Sequence, residues 1–108
     1  MLNQAVILCG GLGTRLGSLT KKTPKPLLRI NKKSFIEYQI DHLARHGIKQ
    51  IILLCCFKYD LFKKKYHNKI ISSAKILCFN EKTFLGTGGG LSLFKKYLDA
   101  NFLVLNGD

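Results

Sequence analysis

Three short runs in this chain, Ala5–Cys9, Gln50–Cys55 and Phe102–Leu105, are hydrophobic at almost every position. A strand with one wet face alternates apolar and polar residues. A strand that is apolar throughout needs cover on both faces, which is the condition inside a parallel sheet. A fourth run, Ala74–Phe79, is similar. Parallel neighbours cannot be joined by a tight turn and need a crossover, usually a helix. The sequence supplies helical signals between the runs. "SFIEYQIDHLARHG" opens with a capping box, Ser34 as N-cap and Glu37 at the third position, then sets Ile36, Ile40 and Leu43 on one stripe and stops at Gly47. A second helix is expected from Gly89 to Tyr97, with Leu91, Phe94 and Leu98 turned inward, and a weaker one over Tyr59–Tyr66. Strands alternating with helices predict an α/β fold built on a doubly wound, mostly parallel sheet.

Composition narrows the class further. A length of 108 residues with 46% hydrophobic content and two prolines suits one globular domain of modest core. No apolar run approaches the ~20 residues that span a bilayer. No basic region precedes Ala5–Leu8, and Gly10-Gly11 is the wrong flank for a secretory signal, so a cytoplasmic location is expected. Cys9, Cys55, Cys56 and Cys78 lie in or beside apolar runs without a C-x-x-C pair, which predicts core filling rather than zinc binding. The formal charge of +12 would attract an anionic partner: nucleic acid, an anionic membrane or phosphorylated metabolites. The lysines are scattered, however, and only "FKKKY" at 62–66 forms a run, without the aromatic-interleaved basic surface of a nucleic-acid binder.

The polar, glycine-rich segments fall where such a sheet binds ligands. In doubly wound sheets the ligand lies at the carboxyl ends of the strands. "CGGLGTR" follows the first run, "GTGGG" follows the fourth, and "NGD" follows Phe102–Leu105. In the first segment, glycines let a ligand approach the backbone, successive N–H groups form an anion cradle, and the Arg15 guanidinium suits phosphate. The dinucleotide fingerprint fails, because Leu16 stands where its last glycine belongs, and no Gly-Lys-Ser/Thr of a Walker loop occurs. Ten residues beyond Arg15, Lys25 sits between Pro24 and Pro26, which stiffen its backbone and leave it less freedom to lose on engaging phosphate.

Together, "GGLGTRLGSLTKKTPKPLL" over Gly10–Leu28 resembles the signature of the sugar-1-phosphate nucleotidylyltransferases, GG-x-GTRL-x-x-LT-x-x-x-PKPLL. The similarity continues through "FIEYQIDHLARHGIKQIIL", "EKTFLGTGGGL" and "FLVLNGD", and it covers the N-terminal half of that family. The resemblance implies a Rossmann-like fold of the nucleotide-diphospho-sugar transferase type. It also implies transfer of a nucleoside monophosphate from a triphosphate to a sugar 1-phosphate, giving an NDP-sugar for cell-surface polysaccharides such as lipopolysaccharide. On the matching positions, Leu8, Gly10 and Gly11 would meet the base or ribose, and Gly13, Thr14 and Arg15 would hold the triphosphate. Lys25 would reach the reacting phosphates. Glu81 and Gly86 would flank the base, with Thr87 and Gly88 nearby. Gly107 would lie by the ribose or sugar, and Asp108 would be the first carboxylate ligand of Mg²⁺.

Physical chemistry is consistent with those roles. The sugar phosphate is itself the nucleophile, so no Ser-His-Asp set or reactive cysteine is required. What is required is alignment of two polyanions and neutralisation of charge at the α-phosphorus. Arg15, Lys25 and a metal serve that purpose, whereas His42, His46 and His67 receive no catalytic role. "LGTGGGL" is similar to the segment typical of mannose and D-glycero-D-manno-heptose 1-phosphate guanylyltransferases, which points to GTP and a heptose or mannose 1-phosphate. The expected domain, 1–108, is thus the nucleotide-binding half of a nucleotidyltransferase domain, incomplete at its C-terminus. Neither nucleic acid nor a membrane is expected as a partner, and a homo-oligomer stays open. Two alternatives remain: a truncated or non-catalytic nucleotide-binding protein, and a basic nucleic-acid-binding module.

Overall fold

The computed structural model describes residues 2–9, 27, 29–30, 32–56, 58–80 and 96–107. Its strands are β1 (Gln4–Leu8), β2 (Arg29–Ile30), β3 (Lys33–Ser34), β4 (Gln50–Cys55), β5 (Ile70–Ile71), β6 (Ala74–Asn80) and β7 (Leu103–Asn106). Its helices are α1 (Phe35–Arg45) and α2 (Tyr59–Tyr66). Five strands form one sheet in the order β5-β6-β4-β1-β7, and β2 and β3 make a separate small hairpin. β6, β4, β1 and β7 run parallel, with Val6 opposite Ile52 and Val104, and only β5 is antiparallel.

The unbroken hydrophobicity of the central strands has the expected cause. Ala5 and Ile7 of β1 with Cys9 just after it, Ile51, Leu53 and Cys55 of β4, and Ala74, Ile76 and Cys78 of β6 pack on one face, together with Ile36, Ile40 and Leu43 of α1 and Phe62 and Tyr66 of α2. Val6, Ile52 and Leu54 point to the other face, where Leu77, Phe79, Leu98 and Phe102 pack on them. Both crossover helices therefore cover one face, while the end of the last crossover packs on the opposite one. That switch accompanies the reversal of strand order, because right-handed crossovers must change face when the chain doubles back.

α1 ends as the sequence predicts and begins with a difference. Ser34 accepts from the Glu37 N–H at 3.4 Å, but the Glu37 carboxylate turns to Tyr66, accepting its hydroxyl proton at 2.8 Å, so half of the expected capping box is spent tying α1 to α2. At the other end Gly47 has φ 91°; its N–H donates to Ala44 O and the Ile48 N–H donates to Leu43 O, closing a Schellman motif. α2 occupies Tyr59–Tyr66, as expected. The helix expected over 89–97 lies mostly outside the described residues, Leu91 and Phe94 included; its last residues, 96–97, are helical, and Leu98 packs on the second face.

Three strand readings need correction. β1 starts one residue early, at Gln4, a polar residue that an apolar pattern skips and that is nonetheless fully buried. β6 is the longest strand of the sheet, reaching Asn80 because its ladder to β4 continues to the Cys55–Asn80 pair. β7 is shifted by one residue and is not buried: Leu103 and Val104 are 39% and 57% exposed, and among the described residues no strand pairs on its outer side. The hairpin of β5 with β6 was not foreseen. Its two-residue turn places Ser72 and Ser73 at φ 53° and 74°, a conformation that Asn-Gly usually announces.

Candidate functional site

Strand order reverses beside β1: the chain steps outward through β4 and β6, then returns to place β7 on the opposite flank. The carboxyl ends of β1 and β7 therefore border the crevice where doubly wound sheets bind ligands. The glycine-rich segments that follow β1, β6 and β7 leave from that one edge, because those strands are mutually parallel.

The geometry at this edge is tight. Leu8 pairs with Asn106, and the ladder runs one step past the strands: the Gly107 N–H donates to Leu8 O at 2.8 Å, and the Cys9 N–H donates to Leu54 O at 2.8 Å. Gly107 is buried, and a Cβ there would lie 3.1 Å from Leu8 O, 3.2 Å from Cys9 Sγ and 3.3 Å from Ile7 Cγ2. Leu8 is 37% exposed although Gln4, Ala5, Val6 and Ile7 before it are buried. The first strand thus emerges from the core with its last side chain open at the crevice, beside backbone that only a glycine lets approach so closely.

Of the residues expected to form the site, Leu8 and Gly107 are described, and the sheet brings them together. Gly10, Gly11, Gly13, Thr14, Arg15, Lys25, Glu81, Gly86, Thr87, Gly88 and Asp108 lie outside the described residues.

Two glutamines hold β7, one at each end, and the sequence reading passed over both. Gln4 is fully buried; its amide nitrogen donates to Gln50 Oε1 and, at 2.8 Å, to Tyr97 O, while its oxygen accepts the Asp99 N–H at 2.9 Å. It fixes the chain just before β7. Gln39 of α1 donates from Nε2 to Asn106 O at 2.9 Å. Its signal was present but faint: it lies three residues after Ile36 and four before Leu43, on the flank of the buried stripe.

The thiols beneath the edge are not arranged for reaction. Cys9, Cys55 and Cys78 are buried. Burial, reinforced by the neighbouring Cys9, pushes the Cys78 thiol up to about 12. His67, which receives no catalytic role, accepts the Cys78 N–H at Nδ1 at 2.9 Å and so braces β6. Among the described residues no group of three or more His, Cys, Asp or Glu could hold a metal, and no helix is long and apolar enough to cross a membrane.

A parallel sheet wound this way, with a glycine closing on the first strand at the switch point, defines an α/β domain of the doubly wound class. The chain belongs to the nucleotidyl transferase family, whose sequence model matches residues 4–108. It is 44% identical over 105 residues to the D-glycero-alpha-D-manno-heptose 1-phosphate guanylyltransferase of Campylobacter jejuni, covering 97% of this chain and 47% of that protein. It is 38% identical over 109 residues to the mannose-1-phosphate guanylyltransferase catalytic subunit beta of Drosophila pseudoobscura, covering 97% and 29%. The crystal structure of HddC from Yersinia pseudotuberculosis complexed with GMP-PN superimposes with a TM-score of 0.76 at 36% identity, covering 99% of this chain and 48% of that one. The chain thus spans about half the length of the heptose enzyme that it matches.

Proposed function

We propose that residues 1–108 form the nucleotide-binding half of a guanylyltransferase that joins GMP to a heptose or mannose 1-phosphate. A phosphate oxygen of the sugar 1-phosphate attacks the α-phosphorus of GTP, the bond from that phosphorus to the bridging oxygen breaks, and pyrophosphate leaves. The product is a GDP-sugar of the kind consumed in cell-surface polysaccharide synthesis, and its nucleotide substrate places the reaction in the cytoplasm. Carrying this reading is the contact of Gly107 with Leu8 at the switch point, together with the motifs "GGLGTR" and "EKTFLGTGGG" that follow β1 and β6 in the sequence.

In this reading the backbone of Gly10, Gly11 and Gly13 with Thr14 receives the nucleotide, and Leu8 lies under the base or ribose. Arg15 and Lys25 hold the triphosphate and offset charge at the reacting phosphorus. Glu81, Gly86, Thr87 and Gly88 shape the base site. Asp108, directly after Gly107, offers a hard carboxylate oxygen, the donor that Mg²⁺ takes alongside phosphate oxygens and water. When bound, the ion would supply charge neutralisation on the phosphates. Residues beyond the matched half would add the second carboxylate and most of the sugar pocket, so this chain alone would turn over slowly or not at all.

The test is calorimetric titration of the chain with GTP, UTP and a DNA duplex in Mg²⁺ over a range of salt. The reading predicts weak, saturable binding that favours GTP, reduced about tenfold or more in Arg15→Ala, on the scale of one charge-assisted contact. DNA binding that exceeds GTP binding at every salt concentration would instead support the basic nucleic-acid module.

A further inference from the structure

The Asn106–Gly107 peptide unit is held at both ends. Its carbonyl accepts from Gln39 Nε2 at 2.9 Å, and its N–H donates to Leu8 O at 2.8 Å. A peptide unit is planar, with the C=O and N–H pointing in opposite directions. One bond leaves the plane free to rock about that contact, whereas bonds at both ends fix its rotation. That rotation sets how Gly107 sits against Leu8 at the crevice. The two holders are themselves rigid: Leu8 ends a strand paired on both sides, and α1 is fixed by its Ser34 cap, its Schellman end and the buried Ile36, Ile40 and Leu43.

Gln39 is also more than a surface amide. It lines a cavity of about 240 Å³ with Phe35, Tyr38, His42, Leu43 and Leu105. Its Oε1 is buried and accepts from nothing among the described residues. The carbonyl of Asn106 can only accept, so the amide must keep its nitrogen toward it. Holding that orientation leaves the oxygen without a partner among the described residues.

We propose that Gln39 is a positioning residue of the nucleotidyl transfer site. Its amide sets the plane of the 106–107 peptide and thereby holds Gly107 against Leu8 at the crevice. This rests on the functional reading above only for what binds in the crevice; the positioning itself is independent of any ligand.

The experiment uses the ¹⁵N-labelled 108-residue chain and the variant Gln39→Met, which keeps length and bulk but has no donor. The amide resonances of Gly107 and Asp108 should move and their hydrogen exchange should quicken about tenfold, while those of Ile36, Ile40 and Leu43 and the unfolding temperature stay as in wild type. Gln39→Glu gives a second reading if the methionine variant folds poorly. Its protonated carboxyl can donate, so the Gly107 resonance should be near wild type below about pH 4 and displaced when the group ionises. In titrations with GTP and Mg²⁺, Gln39→Met should bind several-fold more weakly than wild type. Unchanged Gly107 and Asp108 amides in both variants would overturn the assignment whatever the nucleotide does. Wild type failing to bind GTP while those amides respond to Gln39→Met would overturn the functional reading instead.

Discussion

Gly107 donates its N–H to the carbonyl of Leu8, and the same oxygen would lie 3.1 Å from any Cβ placed on Gly107. A Cβ there would crowd this closure, and its neighbours would have to give by a few tenths of an ångström. Gly107→Ala must either open the β1–β7 pair or displace Cys9 and Ile7. Overpacking of this kind costs about 1–3 kcal/mol. Urea unfolding should show that loss, and GTP affinity should fall with it.

Gln4 is the corresponding clamp at the other end of the sheet. Replacing it with leucine keeps the bulk but leaves Tyr97 O and the Asp99 N–H without their partner. Losing these part-buried bonds should destabilise the chain by about 1–2 kcal/mol. Amide exchange at Asp99 should accelerate beyond the global change, because the segment entering β7 loses its tether.

Ser73 offers a gain rather than a loss. It sits at φ 74° in the β5–β6 turn, exposed, where a side chain is strained and a glycine is not. Ser73→Gly should raise stability by about 0.5–1 kcal/mol, the relief of strain exceeding the added freedom of the unfolded chain. Ser72, also at positive φ, should be left in place, since its hydroxyl donates to Asp41 of α1. A higher urea midpoint at unchanged slope is the expected outcome.

The Cys78 thiol, pushed up to about 12 from an ordinary 9.0 by burial and then by Cys9, gives a pH signature. The thiol is neutral when folded and ionises more readily when unfolded. Its contribution to stability is therefore complete below pH 9.0 and drains away as pH rises from there toward 12. Cys78→Val should lose less stability between pH 8 and pH 10.5 than wild type, read from urea midpoints. Iodoacetamide at pH 8 should alkylate the half-buried Cys56 ahead of Cys78 in the folded chain.

Much of the fold was legible because burial on both faces leaves a mark in the sequence. Val6, Ile52 and Leu77 had to be apolar for one face, and Ile7, Leu53 and Ile76 for the other. Gly47 was legible for a local reason, the left-handed residue at the end of α1. What escaped detection were polar residues whose partners are remote. Gln4 meets Tyr97 and Asp99, and Gln39 meets Asn106 across 67 residues, relations that no local pattern carries. The exposure of Leu103 and Val104 escaped for a similar reason: an apolar run announces a strand but not its place in the sheet. Of the candidate site, the structure adds the juxtaposition of Leu8 with Gly107, a pairing across 99 residues that no local pattern carries.

The central claim is that the nucleotide sits where β1 and β7 end. Titrating the ¹⁵N-labelled chain with GTP and Mg²⁺ while following every backbone amide tests it directly. The account predicts saturable shifts concentrated at Leu8, Cys9, Asn106 and Gly107 and in the glycine-rich segments that follow β1 and β6. Saturable shifts confined to the opposite edge, at Ile70, Ile71 and the lysines of α2, would contradict it.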